Sequence, residues 1–157
     1  MPTIHGATRF ILRLIHFPPR LLYAVGLGPL IGQLVLLLTT TGRRTGRTRV
    51  TPLQYEEIDG TLYVAAARGP KADWFRNLMA DPNVEVQIKA RRFRGKAVPI
   101  RDPQQIADFL ETRLQRHPKM VGAILRAEGL PVPPNRGQLE RYAAKLALVA
   151  LKEADEL

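Results

Sequence analysis

Hydrophobic and polar residues along this chain follow two periods, and the changes of period mark its elements. Residues 33–41, QLVLLLTTT, read as a strand with little alternation, as expected of one buried on both faces. Residues 48–58, TRVTPLQYEEI, are strand-like in their Thr, Val and Tyr content. Pro52 cannot donate to a sheet ladder, so it should sit at an edge or a bulge. Asp59-Gly60 signals a tight hairpin into TLYVAAA at 61–67. GPKADWFRNLMADP then sets Trp74, Phe75 and Leu78 at helical spacing, with Asp81-Pro82 as the stop. VEVQIK alternates cleanly and pairs, across residues 90–92, with FRGKAVPI.

The second half changes to the helical period. Asp102 is an N-cap with Pro103 in the first helical position. Ile106, Phe109, Leu110 and Leu114 then share one face. His117-Pro118 breaks this helix, a second carries Met120, Val121, Ile124 and Leu125, and Gly129 caps it. LPVPPNRG reads as a loop. AKLALVALKEA fits either period and is taken as a strand, because a sheet of five needs closing.

The predicted order is three strands, a helix, two strands, two helices and a strand. Hairpins dominate, so the sheet is mainly antiparallel. The fold class is α+β, a small barrel of about six strands with helices plugging its ends. One domain is expected. Its parts are an apolar, helical N-terminal segment at 1–32, a barrel core at 33–100, a helical insertion at 103–136 and a closing strand at 142–153. The length of 157 residues and the 45% hydrophobic content fit that reading.

From Leu21 to Gly42 no residue is charged, which is long enough for a bilayer span. Gly26, Gly28, Pro29, Gly32 and Gln33 interrupt the run, and GLGPLIG reads as a turn between shorter pieces. The segment is therefore expected not to span a membrane. A peripheral position in the interface and ordinary soluble packing both stay open. No small-residue cleavage site follows, so a secretory signal fits poorly. The expected location is cytoplasmic, with at most a peripheral contact on the cytoplasmic membrane face.

Chemistry is bounded by what is missing. There is no Cys and no Ser, which excludes disulfides, thiolate sites and a Ser-His-Asp triad. His5, His16 and His117 are scattered without metal-ligand spacing. An enzyme of this composition would need a bound cofactor for the hard step. The formal net charge of +10 favours anionic partners. It is concentrated in TTTGRRTGRTRVTP, where Arg43, Arg44, Arg47 and Arg49 crowd one tight turn. Such charges repel unless an anion sits among them. The alternative is a solvated basic hairpin that discourages edge pairing. Nucleic acid is not expected, since interleaved exposed aromatics for base stacking are lacking.

TTTGRRTGRTRVTPL, YVAAARG, DWFRNLMADPNVEVQI and the basic strand after them together resemble the deazaflavin-dependent nitroreductase family. That family belongs to the split β-barrel flavin-binding superfamily. The resemblance covers roughly residues 33–100. It implies a split barrel that binds the reduced form of coenzyme F420 and passes a hydride to an electrophilic small molecule: a quinone, a nitro compound or an activated alkene. FMN on the same fold is the alternative cofactor, though its single phosphate does not need so many cations. A non-catalytic member that only holds a deazaflavin, a flavin or a lipid is the alternative function. A homodimer is left open.

The resemblance carries site residues onto this chain. The cofactor tail is a phosphodiester followed by glutamate carboxylates, which would answer to Arg43, Arg44 and Arg49 through charge-assisted bonds, with Thr45 adding a hydroxyl. Arg44 stands where relatives often have Lys. Thr51 and Pro52 match positions that line the ring pocket. Ala66 and Ala67 are small enough for a flat ring, or for ordinary tight packing. Arg68 stands where the family commonly has a Lys preceded by Ser, so Ala67 removes one hydroxyl. Lys71 is within reach of the tail. Trp74 would wall the ring or belong to the core, and Asn77, on the same helical face, would orient a polar edge. No catalytic side chain is assigned; Tyr23, Tyr55 and Tyr63 are proton donors by type only. The basic residues Lys89, Arg91, Arg92, Arg94 and Lys96 fit a tail extension, an anionic lipid contact or simple solubility.

Overall fold

The computed structural model describes residues 35–66 and 68–156. The expectations for the N-terminal segment and for Ala67 lie outside the described residues. Six strands close into a barrel in the order β1-β2-β3-β6-β5-β4, every neighbouring pair antiparallel. They are β1 (Val35–Thr41), β2 (Thr48–Ile58), β3 (Thr61–Ala66), β4 (Asn83–Ile88), β5 (Arg91–Ile100) and β6 (Ala147–Glu156). Helix α1 (Asp73–Ala80) joins β3 to β4 after a short 3-10 turn at Gly69–Lys71. Helices α2 (Pro103–Arg116), α3 (Pro118–Ala127) and α4 (Arg136–Ala143) lie between β5 and β6. Among the described residues, no helix is long and apolar enough to cross a membrane.

Two apolar layers share one sheet. Leu36, Leu38, Val64, Val86, Phe93 and Val149 fill the barrel. Ile106, Phe109, Leu110, Leu125 and Leu139 form a second core with Leu148 on the outside of the wall. The helices α2–α4 therefore cover a side of the barrel rather than plug its ends. This arrangement explains the ambiguous AKLALVALKEA run. Ala147, Val149 and Leu151 face the barrel while Leu146 and Leu148 face the helices, so no position from 146 to 151 is left to be polar. In β1 the expectation is reversed: Leu36, Leu38 and Thr40 are buried and the residues between them only half-buried, so it alternates after all.

The closing strand begins at Ala147, later than the expected 142, because residues 136–143 form α4. Asn135 caps it with a reciprocal box to Gln138, the backbone N–H of Gln138 donating to Asn135 Oδ1 at 2.8 Å. Arg136 ties α4 to α2 through Asp108 at 2.8 Å and Glu111 at 2.9 Å. Other local expectations hold. Asp59 and Gly60 both have positive φ, 51° and 79°, as a type I′ turn requires. Asp102 accepts from the Gln104 backbone N–H at 3.0 Å, and Gly129, at φ 83°, follows α3.

Strand register opens a cleft. β2 pairs with β1 from Thr48 to Gln54 and with β3 only from Tyr55 to Ile58. β3 continues past Val64 with Ala65 and Ala66 paired to β6 alone. The two strands thus splay apart beyond the Tyr55–Val64 pair. Pro52 lies in the single-partner stretch of β2, a local edge that tolerates a residue without an N–H.

Candidate cofactor and acceptor site

The β1–β2 connection is held by its own backbone. The Gly42 N–H donates to the Arg47 carbonyl at 2.7 Å, and the Gly46 N–H to the Gly42 carbonyl at 2.8 Å. Gly46 takes φ 68°, a conformation that side chains disfavour. Thr45 Oγ1 accepts from the Arg47 N–H at 3.3 Å. The turn therefore projects its arginines from a closed scaffold.

Those arginines are not equivalent. Arg43 is engaged: its Nη1 donates to Asn77 Oδ1 at 2.9 Å, its backbone N–H to the same oxygen at 3.2 Å, and its Nη2 pairs with Asp73 Oδ1 at 3.2 Å. Asn77 is buried and Asp73 opens α1, so this arginine pins the turn to the helix. Arg44, Arg47 and Arg49 are exposed and make no side-chain hydrogen bond or ion pair among the described residues. Arg68 and Lys71, just before the same helix, are likewise exposed and unpaired. Between them Gly69 sits at φ 63°, and a Cβ there would lie 2.4 Å from the Lys145 carbonyl oxygen, so the strand end passes tight against the start of β6. One end of the barrel thus gathers free cations around the mouth of the splayed strands. A phosphate and a row of carboxylates fit that donor set.

The two faces of the splay differ. Leu53 and Tyr55 pack toward the barrel, which places Thr51 on the inner side by alternation, and Ala66 belongs to the barrel core. Pro52, Gln54 and Glu56 face outward, as does Ala65 on β3, which packs against the helical layer. The flat alanine surface open to the cleft is therefore that of Ala65, which the sequence reading did not single out. Trp74 is half-buried against the barrel core, edge-on to Phe75 with ring centroids 6.1 Å apart.

Where α2–α4 cover the splay, a cavity of about 120 Å³ remains, bordered by Gln54, Ala65, Phe109, Arg113, Ile124 and Tyr142. Beside it lies a buried charge cluster. Glu56, 6% exposed, accepts from Arg116 Nη1 at 2.8 Å, and its Oε2 is 3.2 Å from His117 Nε2 and 3.5 Å from Arg113 Nε. Arg113 Nη2 donates to Gln54 Oε1 at 3.3 Å. Burial lowers the Arg113 pKa from the ordinary arginine value, and Glu56 pulls it partly back. Burial, with Glu128 nearby, pushes the Tyr142 hydroxyl up to about 12. Gln54 Nε2 is a buried donor with no hydrogen-bond partner among the described residues, and Arg113 Nε and Glu56 Oε2, also buried, face each other at 3.5 Å. The Arg113–Glu56 contact is a buried ion pair.

Sequence reading thus brought together the turn, the β3 end and α1. It missed Gln54, Glu56, Arg113 and Tyr142. Arg113, Arg116 and His117 are spaced for one helical face, and that was the available signal. A larger cavity of about 400 Å³ opens at the opposite end of the barrel, between the Gly60 and Lys89–Ala90 hairpins, remote from the free arginines.

A splayed six-stranded barrel with a cationic mouth defines the class: a split barrel. Residues 24–124 match the F420H(2)-dependent quinone reductase family, and the chain belongs to that family. An F420H(2)-dependent quinone reductase of Mycobacterium tuberculosis H37Rv is 40% identical over 68 residues, 41% of this chain and 46% of that protein. The chain thus spans about half the length of the curated relatives it matches. Among solved structures, a conserved hypothetical protein from Mycobacterium tuberculosis aligns over 80% of this chain and 76% of its own, with a TM-score of 0.57 at 16% identity. An F420-H2 dependent reductase aligns over 76% of this chain and 95% of its own, with a TM-score of 0.52 at 20% identity. At these identities the likeness is one of fold.

Proposed function

We propose that this chain is an oxidoreductase that uses reduced coenzyme F420 to reduce a small conjugated acceptor, with a quinone as the leading class. The observation that carries the reading is the set of cations, exposed and unpaired among the described residues, around one mouth of the splayed barrel: Arg44, Arg47, Arg49, Arg68 and Lys71. Arg44 and Arg49 grip the phosphodiester and carboxylates of the tail, with Thr45 and the turn backbone as further donors. Arg68 and Lys71 extend the grip. Arg43 acts one step back, since with Asn77 it fixes the turn on which the others stand. Thr51, Pro52, Ala65, Ala66 and Trp74 border the ring.

When bound, the reduced deazaflavin supplies the hydride. The protein's own part is positioning and the exclusion of water from the covered cleft. No G-x-G-x-x-G loop is present to hold a dinucleotide pyrophosphate, and the reductant expected is the reduced deazaflavin, not NADPH. A single-phosphate flavin would leave most of these cations without a partner.

Fluorescence titration of the protein with coenzyme F420, its tail-less precursor and FMN tests the reading. The intact deazaflavin is expected to bind most tightly, and a quinone to be reduced with the reduced deazaflavin as donor. Tighter FMN binding, or turnover on NADPH alone, would overturn it.

A further inference from the structure

The larger cavity, at the end of the barrel away from the free arginines, has an apolar floor and a rim of balanced charge. Leu62, Phe93 and Leu151, all buried, make the floor from β3, β5 and β6. The rim carries two acids and two bases: Glu57, Glu153, Lys89 and Arg91. On a chain of formal net charge +10 that balance is local, so this mouth does not gather anions as the other one does. Arg91 and Glu153 answer each other as an ion pair, with the Arg91 guanidinium 5.0 Å from the centre of the Phe93 ring. Glu57 and Lys89 remain. Their side chains are exposed and make no hydrogen bond or ion pair among the described residues.

Lys89 is held at this rim in an unfavoured backbone conformation. It takes φ 53° at the tip of the β4–β5 hairpin, in the left-handed region that residues with a Cβ seldom adopt. Strained residues of this kind gather at ligand clamps. We infer that the cavity binds a small zwitterion with an apolar side chain, an aromatic or branched aliphatic α-amino acid, its ammonium on Glu57, its carboxylate on Lys89 and its side chain on the floor of Leu62, Phe93 and Leu151. The site stands apart from the cofactor mouth and does not depend on the reductase reading.

Size and charge narrow the class. The volume is about 400 Å³, within the range of about 300–1,000 Å³ for small-molecule sites and well above the roughly 150 Å³ that holds benzene. One ring with a charged head fits it. A carboxylate without an amine would meet Lys89 but stand near Glu57 and Glu153 as a like charge. An amine without a carboxylate would meet Glu57 but stand near Lys89 and Arg91. A molecule carrying both charges satisfies Glu57, at the end of β2, and Lys89, at the β4–β5 turn, at once. An uncharged molecule of the same shape would displace water from the two charges without replacing it.

NMR titration of the isotope-labelled protein, followed by its amide shifts, tests this with four probes. They are phenylalanine, phenylpropanoate, which lacks the amine, phenethylamine, which lacks the carboxylate, and glycine, which lacks the side chain. Phenylalanine is expected to bind about three- to tenfold more tightly than either single-charge analogue. The shifts should centre on Gly60 and Ala90, which border the cavity on the two hairpins. Glycine is expected not to bind. Glu57→Gln and Lys89→Gln should each weaken phenylalanine by about the same factor, and Glu57→Gln should leave phenylpropanoate no weaker. Both positions are exposed, so the variants should fold, and circular dichroism checks that they do. A single-charge analogue binding as tightly as phenylalanine, shifts centred away from the two hairpins, no phenylalanine binding at millimolar concentration, or an unaltered phenylalanine affinity in either folded variant would each overturn the inference.

Discussion

Arg43 Nη1 and the Arg43 backbone N–H both donate to one oxygen, Oδ1 of Asn77, at 2.9 and 3.2 Å. The first arginine of the turn is therefore part of the scaffold, and its neighbours are free to face a ligand. Removing that acceptor strands a charged donor and a backbone N–H at a half-buried site. Asn77→Ala should cost roughly 1.5–3 kcal/mol, the range for hydrogen bonds to charged groups. Urea unfolding would show a lower midpoint with an unchanged slope.

Arg44 gives the opposite expectation. It has no partner to lose among the described residues, so Arg44→Ala should leave stability within about 0.5 kcal/mol. Affinity for the intact cofactor should fall by about ten- to a hundredfold, while the tail-less precursor should barely respond. Raising salt should move the wild type toward the variant, because the site is exposed. An unchanged affinity for the full cofactor would mark the turn as a solvated basic hairpin.

The Glu56 cluster makes a stability prediction. Arg113 is 9% exposed, so Glu56→Gln leaves a guanidinium buried without its carboxylate. Breaking one side of a buried pair costs roughly 3–5 kcal/mol. Arg116, at the surface, can turn to water and adds little. Arg113→Met in the Glu56→Gln background should recover part of the loss, and a double-mutant cycle on thermal midpoints measures how much.

Tyr142 sets an alkaline limit. Its pKa is raised from 10.0 to about 12 by burial in the fold. Between those values the unfolded chain gives up a proton that the native state keeps. The native state then binds more protons, so stability falls as pH rises through about 10 to 12. Tyr142→Phe should remove that component. Urea midpoints measured from pH 9 to 11.5 should fall more steeply in the wild type than in the variant.

Features that depend on a few neighbouring residues were legible in the chain. The Asp59-Gly60 turn, the Asp102 cap and the Gly129 stop follow from allowed backbone angles and from side chains that reach the adjacent backbone. The cationic turn and the apolar face of α2 were legible for the same reason. Helix α4 was legible in part. Asn135 and Gln138 carry the capping-box spacing, but it follows a Pro-rich stretch, and only Leu139 and Ala143 are buried along the helix.

What the tertiary structure alone decided concerns surfaces that meet across long separations. Whether the apolar run at 144–154 is strand or helix depends on there being two cores for it to divide, one inside the barrel and one under the helices. Arg43 and Arg44 are neighbours of one type, and only the position of α1 makes the first structural and the second free. Glu56 reads as an exposed acid on a strand until α2 docks on β2 and buries it among Arg113, Arg116 and His117. Backbone angles and caps are settled within a turn of chain. Burial and pairing are settled by which faces pack together, and no local pattern encodes that.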